Sequence, residues 1–208
     1  VTHITGETVQ KGRGLKIFSH SLTAGDIDGD GDIDAVVTSV KWVGRNQSQN
    51  GEIFCYINQG DGHMVVRKCG DQFGFEVELG DIDNDGHLDI VSGVLCWKGP
   101  DFKKSFSYEP VKIFPITGPG LEGYLTNFST FPMYIDSDNW MDILKIKVPG
   151  LDGNWVKNSG QNPFKNSNKT ESKELRKAQE YICNESPQIV DVIGDEKKEL
   201  LAYSKGTI

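Results

Sequence analysis

The stretch that decides the fold reads GDIDGDGDIDAVV and occupies residues 25–37. Residues 80–92 repeat it as GDIDNDGHLDIVS, and two weaker copies follow as YIDSDNWMDIL (residues 134–144) and DVIGDEKKELL (residues 191–201). The last acid of each motif falls at Asp34, Asp89, Asp142 and Glu199, at successive spacings of 55, 53 and 57 residues. A period this regular predicts a repeat architecture with the same local structure in each unit.

Each acidic stretch is followed by an apolar, β-prone run, as at residues 33–40 and 88–94. The turn residues Gly60 and Gly62 separate residues 52–58 from 63–68, which predicts a hairpin, and residues 154–157 repeat that design. A period of about 50 residues with about four strands is typical of a β-propeller blade.

We therefore predict an all-β fold of β-propeller-type blades, each with about four antiparallel strands. The chain forms one domain over residues 1–208, with repeats at about residues 15–70, 71–125, 126–183 and, incompletely, 184–208. One segment departs from this pattern. Residues 170–182 carry Leu175, Ala178 and Ile182 at helical spacing, which indicates an inserted helix or a charged connection.

The first two acidic loops share the pattern DxDxDGxxD, in which carboxylates at alternating positions converge on one centre. Gly31 and Gly86 at the sixth position permit the sharp turn that such a loop needs. Several hard, charged oxygen ligands in a flexible cage favour Ca²⁺ over zinc, copper or magnesium. We predict about two calcium ions, with Asp32 and His87 contributing backbone oxygens; the full ligand set is Asp26, Asp28, Asp30, Asp32 and Asp34, and Asp81, Asp83, Asp85, His87 and Asp89. The alternative is a pair of acidic surface loops without metal.

The third and fourth loops are eroded, because Tyr134 and Ile193 replace ligand acids and Asn139 replaces the glycine. We expect these loops to bind metal weakly or not at all. Hydrogen bonds should hold their turns, aided in the fourth loop by Lys197 or Lys198 beside the acids.

The formal charge of −8 is local, because nine of the 30 acids lie in the first two loops. The remaining 21 acids nearly balance the 22 basic residues, and no basic stripe is present to bind nucleic acid. The sequence also lacks a run of about 18 apolar residues, so no membrane span is expected.

Two features favour a secreted, extracellular protein. Four sequons predict glycosylation at Asn46, Asn127, Asn168 and Asn184. Cys55 and Cys69 flank the predicted hairpin turn and could pair, which leaves Cys96 and Cys183 as a second disulfide; four free thiols are the alternative. The start at Val1 rather than methionine suggests a processed or fragmentary product.

The two intact loops, each followed by an apolar strand, resemble the FG-GAP or VCBS repeats of integrin alpha-chain propellers, fungal lectins and many secreted proteins. YINQG (residues 56–60) and WVKNSG (residues 155–160) resemble the aromatic, asparagine and glycine turn of VCBS repeats. The resemblance implies calcium loops between the first two strands of each blade. Family propellers usually close with six to eight blades, so about four repeats imply a fragment, an assembly between chains or a small ring; residues 2–10 could supply a strand missing from the last blade.

The resemblance implies a non-catalytic adhesion, lectin-like or structural module that binds a glycan or an extracellular protein. Trp42 and Trp97 each follow a closing aspartate by eight residues, so they could stack on sugar rings or, more plausibly for aromatic residues, pack between blades. One rival is a carbohydrate-active enzyme similar to polysaccharide lyases, although no GxSxG, HExxH or P-loop pattern is present. Another is a self-associating subunit of an extracellular filament.

Overall fold

The computed structural model describes residues 17–42, 48–71, 76–110, 127–136, 138–147, 153–160, 171–174, 187–195 and 198–202. Within these residues the regular elements are fourteen β-strands. The first sheet contains β1 (Ile17–Gly25), β2 (Asp34–Trp42), β3 (Ser48–Asn58) and β4 (Met64–Asp71). The second contains β5 (Glu78–Gly80), β6 (Asp89–Ser92), β7 (Leu95–Trp97) and β8 (Ser105–Ser107). The third contains β9 (Asn127–Met133), β10 (Asp142–Lys147), β11 (Gly153–Lys157) and β12 (Glu171–Glu174), and β13 (Gln188–Val190) pairs with β14 (Glu199–Leu201).

Every sheet is an antiparallel meander in which strands follow one another in chain order. The four acidic motifs occupy equivalent positions, because each connects the first strand of its sheet to the second. We call these connections the first (residues 26–33), second (81–88), third (134–141) and fourth (191–198) acidic loops. The prediction of an all-β fold with four-stranded antiparallel blades is confirmed, as is the hairpin of β3 and β4.

The expected helix or charged connection at residues 170–182 is wrong for its first part. Residues 171–174 form β12, which pairs with β11 in the register Trp155↔Lys173, and thereby complete the third four-stranded sheet. The helical spacing at residues 175–182 lies outside the described residues, as does the expected additional strand at residues 2–10. None of the described residues forms a helix that is long and apolar enough to cross a membrane.

The sheets pack face to face through apolar side chains that alternate along the strands. One core cluster joins the first and second sheets, and Trp97 from β7 lies within it. Its indole ring lies against Gly70 of β4, where an added Cβ would approach the ring to 2.7 Å. A second cluster joins the second and third sheets, and a third cluster links β9 and β10 to Ile189 and Leu200 of the last pair.

A cavity of about 1080 Å³ lies where the first strands of the four sheets approach one another. Residues from β1, β5, β9 and β13 all line it. Its polar lining includes Glu76, Glu78 and Lys198. This placement of the first strands around a common cavity is the arrangement that propeller-type blades adopt around a central channel.

The cysteines follow the sequence prediction only in part. The disulfide between Cys55 and Cys69 is present, with a Cα–Cα distance of 6.1 Å across the β3–β4 hairpin. The second expected disulfide is wrong, because Cys96 is a free thiol that is fully buried in β7. Cys183 lies outside the described residues. Burial raises the pKa of the Cys96 thiol well above its usual value.

Candidate metal centres

The first acidic loop wraps its backbone around the carboxylate of Asp26. Asp26 Oδ1 accepts hydrogen bonds from the backbone N–H groups of Gly29 (2.8 Å) and Asp30 (3.1 Å), and its Oδ2 accepts one from Gly31 (2.9 Å). Gly29 and Gly31 have φ values of 83° and 94°, which an L side chain rarely adopts. Glycine suits these positions best, and asparagine takes positive φ at the equivalent positions of the second and third loops, at Asn84 (51°) and Asn139 (63°).

The closing acid of the first loop is buried and ties three segments together. Asp34 is 1% exposed. Its Oδ2 accepts a hydrogen bond from the backbone N–H of Ile27 (2.9 Å), and its Oδ1 accepts one from Asn58 at the end of β3 (2.8 Å). Asp34 thus fixes the loop to the sheet while contributing a negative charge beneath it.

Three carboxylates of the first loop converge, since Asp26, Asp28 and Asp34 each place an oxygen within 4.8 Å of the others. Burial and the negative charges of Asp30 and Asp34 raise the pKa of Asp28, despite a hydrogen bond from the Asp30 backbone that lowers it. Asp30 and Asp32 do not join the group: Asp30 Oδ1 accepts a hydrogen bond from the Asp32 N–H at 2.9 Å. Clustered acids of this kind favour a bound cation, which relieves their mutual repulsion.

The second acidic loop has the same backbone design. Asp81 accepts hydrogen bonds from the N–H groups of Asp85 (3.0 Å) and Gly86 (2.9 Å). Asp89 repeats the role of Asp34, because it accepts from Ile82 in the loop (3.0 Å) and from Gly99 after β7 (2.8 Å). Burial raises the pKa of Asp89 to about 7.

The convergent acids of the second loop are Asp81, Asp83 and Asp85, whose oxygens lie within 4.8 Å of one another. A lysine from β7's C-terminal end also reaches them, since Lys98 Nζ pairs with Asp83 Oδ2 and Asp85 Oδ2. Burial lowers the pKa of Lys98, but the hydrogen bonds to both aspartates outweigh it and raise the pKa. The Asp83 side chain is 1% exposed, and its Oδ1 has no hydrogen-bond partner among the described residues.

A lysine from the end of β11 reaches the acids of the third loop. Lys157 Nζ pairs with Asp136 and with Asp138 Oδ2, the latter at 2.7 Å. Hydrogen bonds to these two aspartates raise the pKa of Lys157. Tyr134, which stands where the other loops have their first acid, is 59% exposed. A lysine beside the acids was expected in the fourth loop, where Lys197 lies outside the described residues; the structure shows lysine pairing at the second and third loops.

The fourth loop retains a convergent group of acids although its sequence departs from the motif. Its acids Asp191, Asp195 and Glu199 place oxygens within 4.8 Å of one another. Asp191 Oδ1 accepts a hydrogen bond from the Gly194 N–H (2.6 Å), and Glu199 accepts one from Val192 (2.8 Å). Sequence reasoning discounted this cluster because Ile193 replaces a ligand acid, although it had placed Glu199 at the closing position. The longer side chain of Glu199 reaches the loop in the same way.

The other candidate residues have mixed outcomes. Trp97 is 5% exposed within the core, so it packs between sheets and does not offer a face to sugar. The side chain of Trp42 lies outside the described residues. Asn127 is unsuited to carry a glycan, because it is 2% exposed in β9 and its amide donates to Glu109. The remaining sequons, at Asn46, Asn168 and Asn184, lie outside the described residues.

Comparisons with known proteins agree with this architecture. Residues 26–92, which span the first two acidic loops, match the FG-GAP-like repeat. The chain is 34% identical to integrin alpha-7 of Mus musculus over 160 residues and 29% identical to integrin alpha-7 of Rattus norvegicus over 157 residues. These alignments cover 69% and 68% of this chain but only 13% of each integrin, so the chain spans a small part of the relatives' length. No solved structure gives a significant match.

The fold and the loops together define an all-β protein of propeller-type blades, in which an acidic loop joins the first two strands of each sheet. The chain carries FG-GAP-like repeat sequence over residues 26–92 and is similar to integrin alpha-7 over 69% of its length.

Proposed function

We propose that this chain is a non-catalytic, extracellular adhesion module in which calcium rigidifies the acidic loops and other loops contact a protein partner. Its 208 residues act as a single domain of four repeats, whole or within a larger propeller. The observation that carries the proposal is the first acidic loop, where Asp26, Asp28 and Asp34 converge beside a backbone of positive φ that glycine adopts at little cost.

The donor chemistry fits a calcium ion. The first loop offers only oxygen ligands, and Ca²⁺ accepts six to eight oxygens in irregular geometries. Asp26, Asp28 and Asp34 would hold the ion. In the second loop, the buried Asp83 Oδ1 has no hydrogen-bond partner within the described part of the chain, so a cation would satisfy it. Bound calcium would supply positive charge that offsets the repulsion among these carboxylates.

The proposed partner is an extracellular protein, because the similar proteins are integrin alpha chains. A glycan is the second candidate, but Trp97, one of the two aromatic residues that the sequence suggested for stacking on a sugar, is buried. The extracellular location is supported by the same relatives and by the Cys55–Cys69 disulfide, since such bonds persist in oxidising compartments.

Calorimetric titration of the chain with CaCl₂ tests the calcium part of the proposal. We expect saturable binding that Asp28→Asn weakens strongly, because one of three convergent carboxylates loses its charge. Asp61→Asn is the matched control, since Asp61 is an exposed turn acid outside the acidic loops. Equal calcium binding by Asp28→Asn and the wild-type chain would refute the first loop as the site.

The adhesion part is tested by immobilising the chain and measuring binding of purified extracellular matrix proteins with Ca²⁺ and with chelator. We expect binding to at least one of them that chelator reduces, because loops anchored by the ion lose their fixed shape. Light scattering under the same two conditions checks self-association. A chain that binds none of these proteins but assembles into filaments would instead favour the structural role.

A further inference from the structure

The residue at the end of the third strand, next to the acidic loop, differs between the sheets. In the first three sheets, a backbone N–H at the end of the third strand donates to the closing acid: Asn58 to Asp34, Gly99 to Asp89 and Asn158 to Asp142. The residues that immediately precede these donors are structurally equivalent; they are Ile57, Lys98 and Lys157.

The two lysines make the same contacts in their own loops. Lys98 Nζ pairs with Asp83 and Asp85, and Lys157 Nζ pairs with Asp136 and Asp138. These acids are the third and fifth positions of the motif, where a bound cation is expected to lie. The side chains of both lysines are about three-quarters shielded from solvent, with exposed fractions of 23% and 25%.

We propose that Lys98 and Lys157 are internal cations. Lys157 takes the place of a metal ion in the third loop, and Lys98 competes with a metal ion for the acids of the second loop. The second-loop half of this inference rests on the proposed calcium function. The first loop has the apolar Ile57 at the equivalent position, 5% exposed, so no lysine from that position supplies its positive charge. The proposal therefore orders the loops by calcium affinity, with the first loop above the second and the third loop independent of calcium.

The different roles of the two lysines follow from the ligands around them. The third loop lacks its first acid, because Tyr134 occupies that position and points to solvent with 59% exposure. One ammonium group can therefore neutralise much of the charge that remains. The second loop keeps Asp81 as well, and Asp83 Oδ1 stays buried without a hydrogen-bond partner among the described residues. An ammonium group has three donors, whereas Ca²⁺ takes six to eight oxygens. Lys98 therefore leaves carboxylate oxygens of the second loop that a calcium ion can bind.

Pulse acetylation of the wild-type chain with acetic anhydride, followed by mass spectrometry, tests the proposal without any substitution. Lys103 is the internal reference, since its side chain is 80% exposed. In chelator, we expect Lys98 and Lys157 to react about tenfold more slowly than Lys103, because both ammonium groups are held by two charge-assisted hydrogen bonds. Saturating Ca²⁺ should raise the rate of Lys98 towards that of Lys103 and leave Lys157 slow. Rapid labelling of Lys98 in chelator would overturn the proposal.

Calorimetry on the variant Asp28→Asn, in which the first loop is silenced, measures the competition directly. Adding Lys98→Met should tighten calcium binding to the second loop by about tenfold. If Lys98 occupies the acids about nine-tenths of the time, only about a tenth of the sites are free to bind calcium, which weakens the apparent affinity about tenfold. Lys103→Met in the same background is the control, because the Lys103 side chain is 80% exposed and pairs with Asp101 outside the acidic loops; we expect no change in calcium affinity. An unchanged or weaker affinity in the Lys98→Met variant would contradict the competition.

Failure of the calcium function and failure of the lysine competition give different experimental results. If calcium binding is absent from the wild-type chain, the proposed calcium function fails, yet slow labelling of both lysines in chelator would still support their role as internal cations. If calcium binds but Lys98 is neither shielded in chelator nor released by the ion, the calcium function stands and the competition is wrong.

Discussion

Replacing the buried closing acid Asp34 by asparagine tests whether this residue ties the acidic loop to its sheet. The two carboxylate oxygens accept hydrogen bonds from Ile27 at 2.9 Å and from Asn58 at 2.8 Å. Asparagine has nearly the same shape but only one acceptor oxygen. Its NH₂ group would face one of the two backbone donors, and neither donor can turn to solvent beside a residue that is 1% exposed.

The magnitude follows from the lost hydrogen bond and from the donor that it leaves unsatisfied. A hydrogen bond to a charged group contributes roughly 1.5–3 kcal/mol, and an unsatisfied buried donor costs roughly 1–3 kcal/mol. We expect Asp34→Asn to lower the free energy of unfolding by about 3 kcal/mol in chelator. For a chain of this size, that corresponds to a fall in Tm of roughly 6–12 °C.

Thermal unfolding followed by circular dichroism in chelator provides the assay, because calcium binding then makes no contribution. Asp30→Asn is the matched control: it removes the same charge from the same loop, but Asp30 is exposed, and an amide oxygen can still accept the Asp32 N–H. We expect that control to stay within about 0.5 kcal/mol of wild type. If both variants unfold within about 2 °C of wild type, the hydrogen bonds of Asp34 do not anchor the loop.

Three further predictions concern the core, the cavity and the disulfide. Gly70→Ala should lower Tm, with a cost of about 1–3 kcal/mol, because the new Cβ would lie 2.7 Å from the Trp97 ring; unchanged unfolding would refute that contact. Burial raises the pKa of Glu76 to about 7 from its ordinary 4.5, so the stability that its protonated form contributes below pH 4.5 is lost as the pH rises through 7. Glu76→Gln should therefore match wild type near pH 4.5 and exceed it by up to about 3 kcal/mol at pH 8, as measured by denaturant unfolding; an equal difference at both pH values would contradict this. Replacing both Cys55 and Cys69 by alanine should cost about 2–4 kcal/mol, because the disulfide closes a short loop of the unfolded chain, and unfolding with and without reductant should then coincide.

The repeat, the strand content and the position of the acidic loops could be read from the sequence. Each depends on local rules: alternating acids with glycine at the sixth position specify a tight loop, and the apolar run after it specifies a strand. The Cys55–Cys69 pairing was equally accessible, since both cysteines flank one hairpin turn. Residues 171–174 were misread because helical spacing of apolar side chains is a weak signal when an adjacent strand edge, that of β11, is available for pairing.

Contacts between distant segments required the tertiary structure. Lys98 follows the second loop by ten residues and Lys157 lies well beyond the third, and no pattern in either loop indicates that a lysine returns to its acids. The burial of Asn127, the free thiol of Cys96 and the packing of Trp97 against Gly70 likewise depend on which sheet faces which. Sequence alone therefore determined which loops carry the acids, because that choice is local. The tertiary structure decided which residue lies beside the acids, because the third strand of the first three sheets brings either Ile57 or a lysine to the loop.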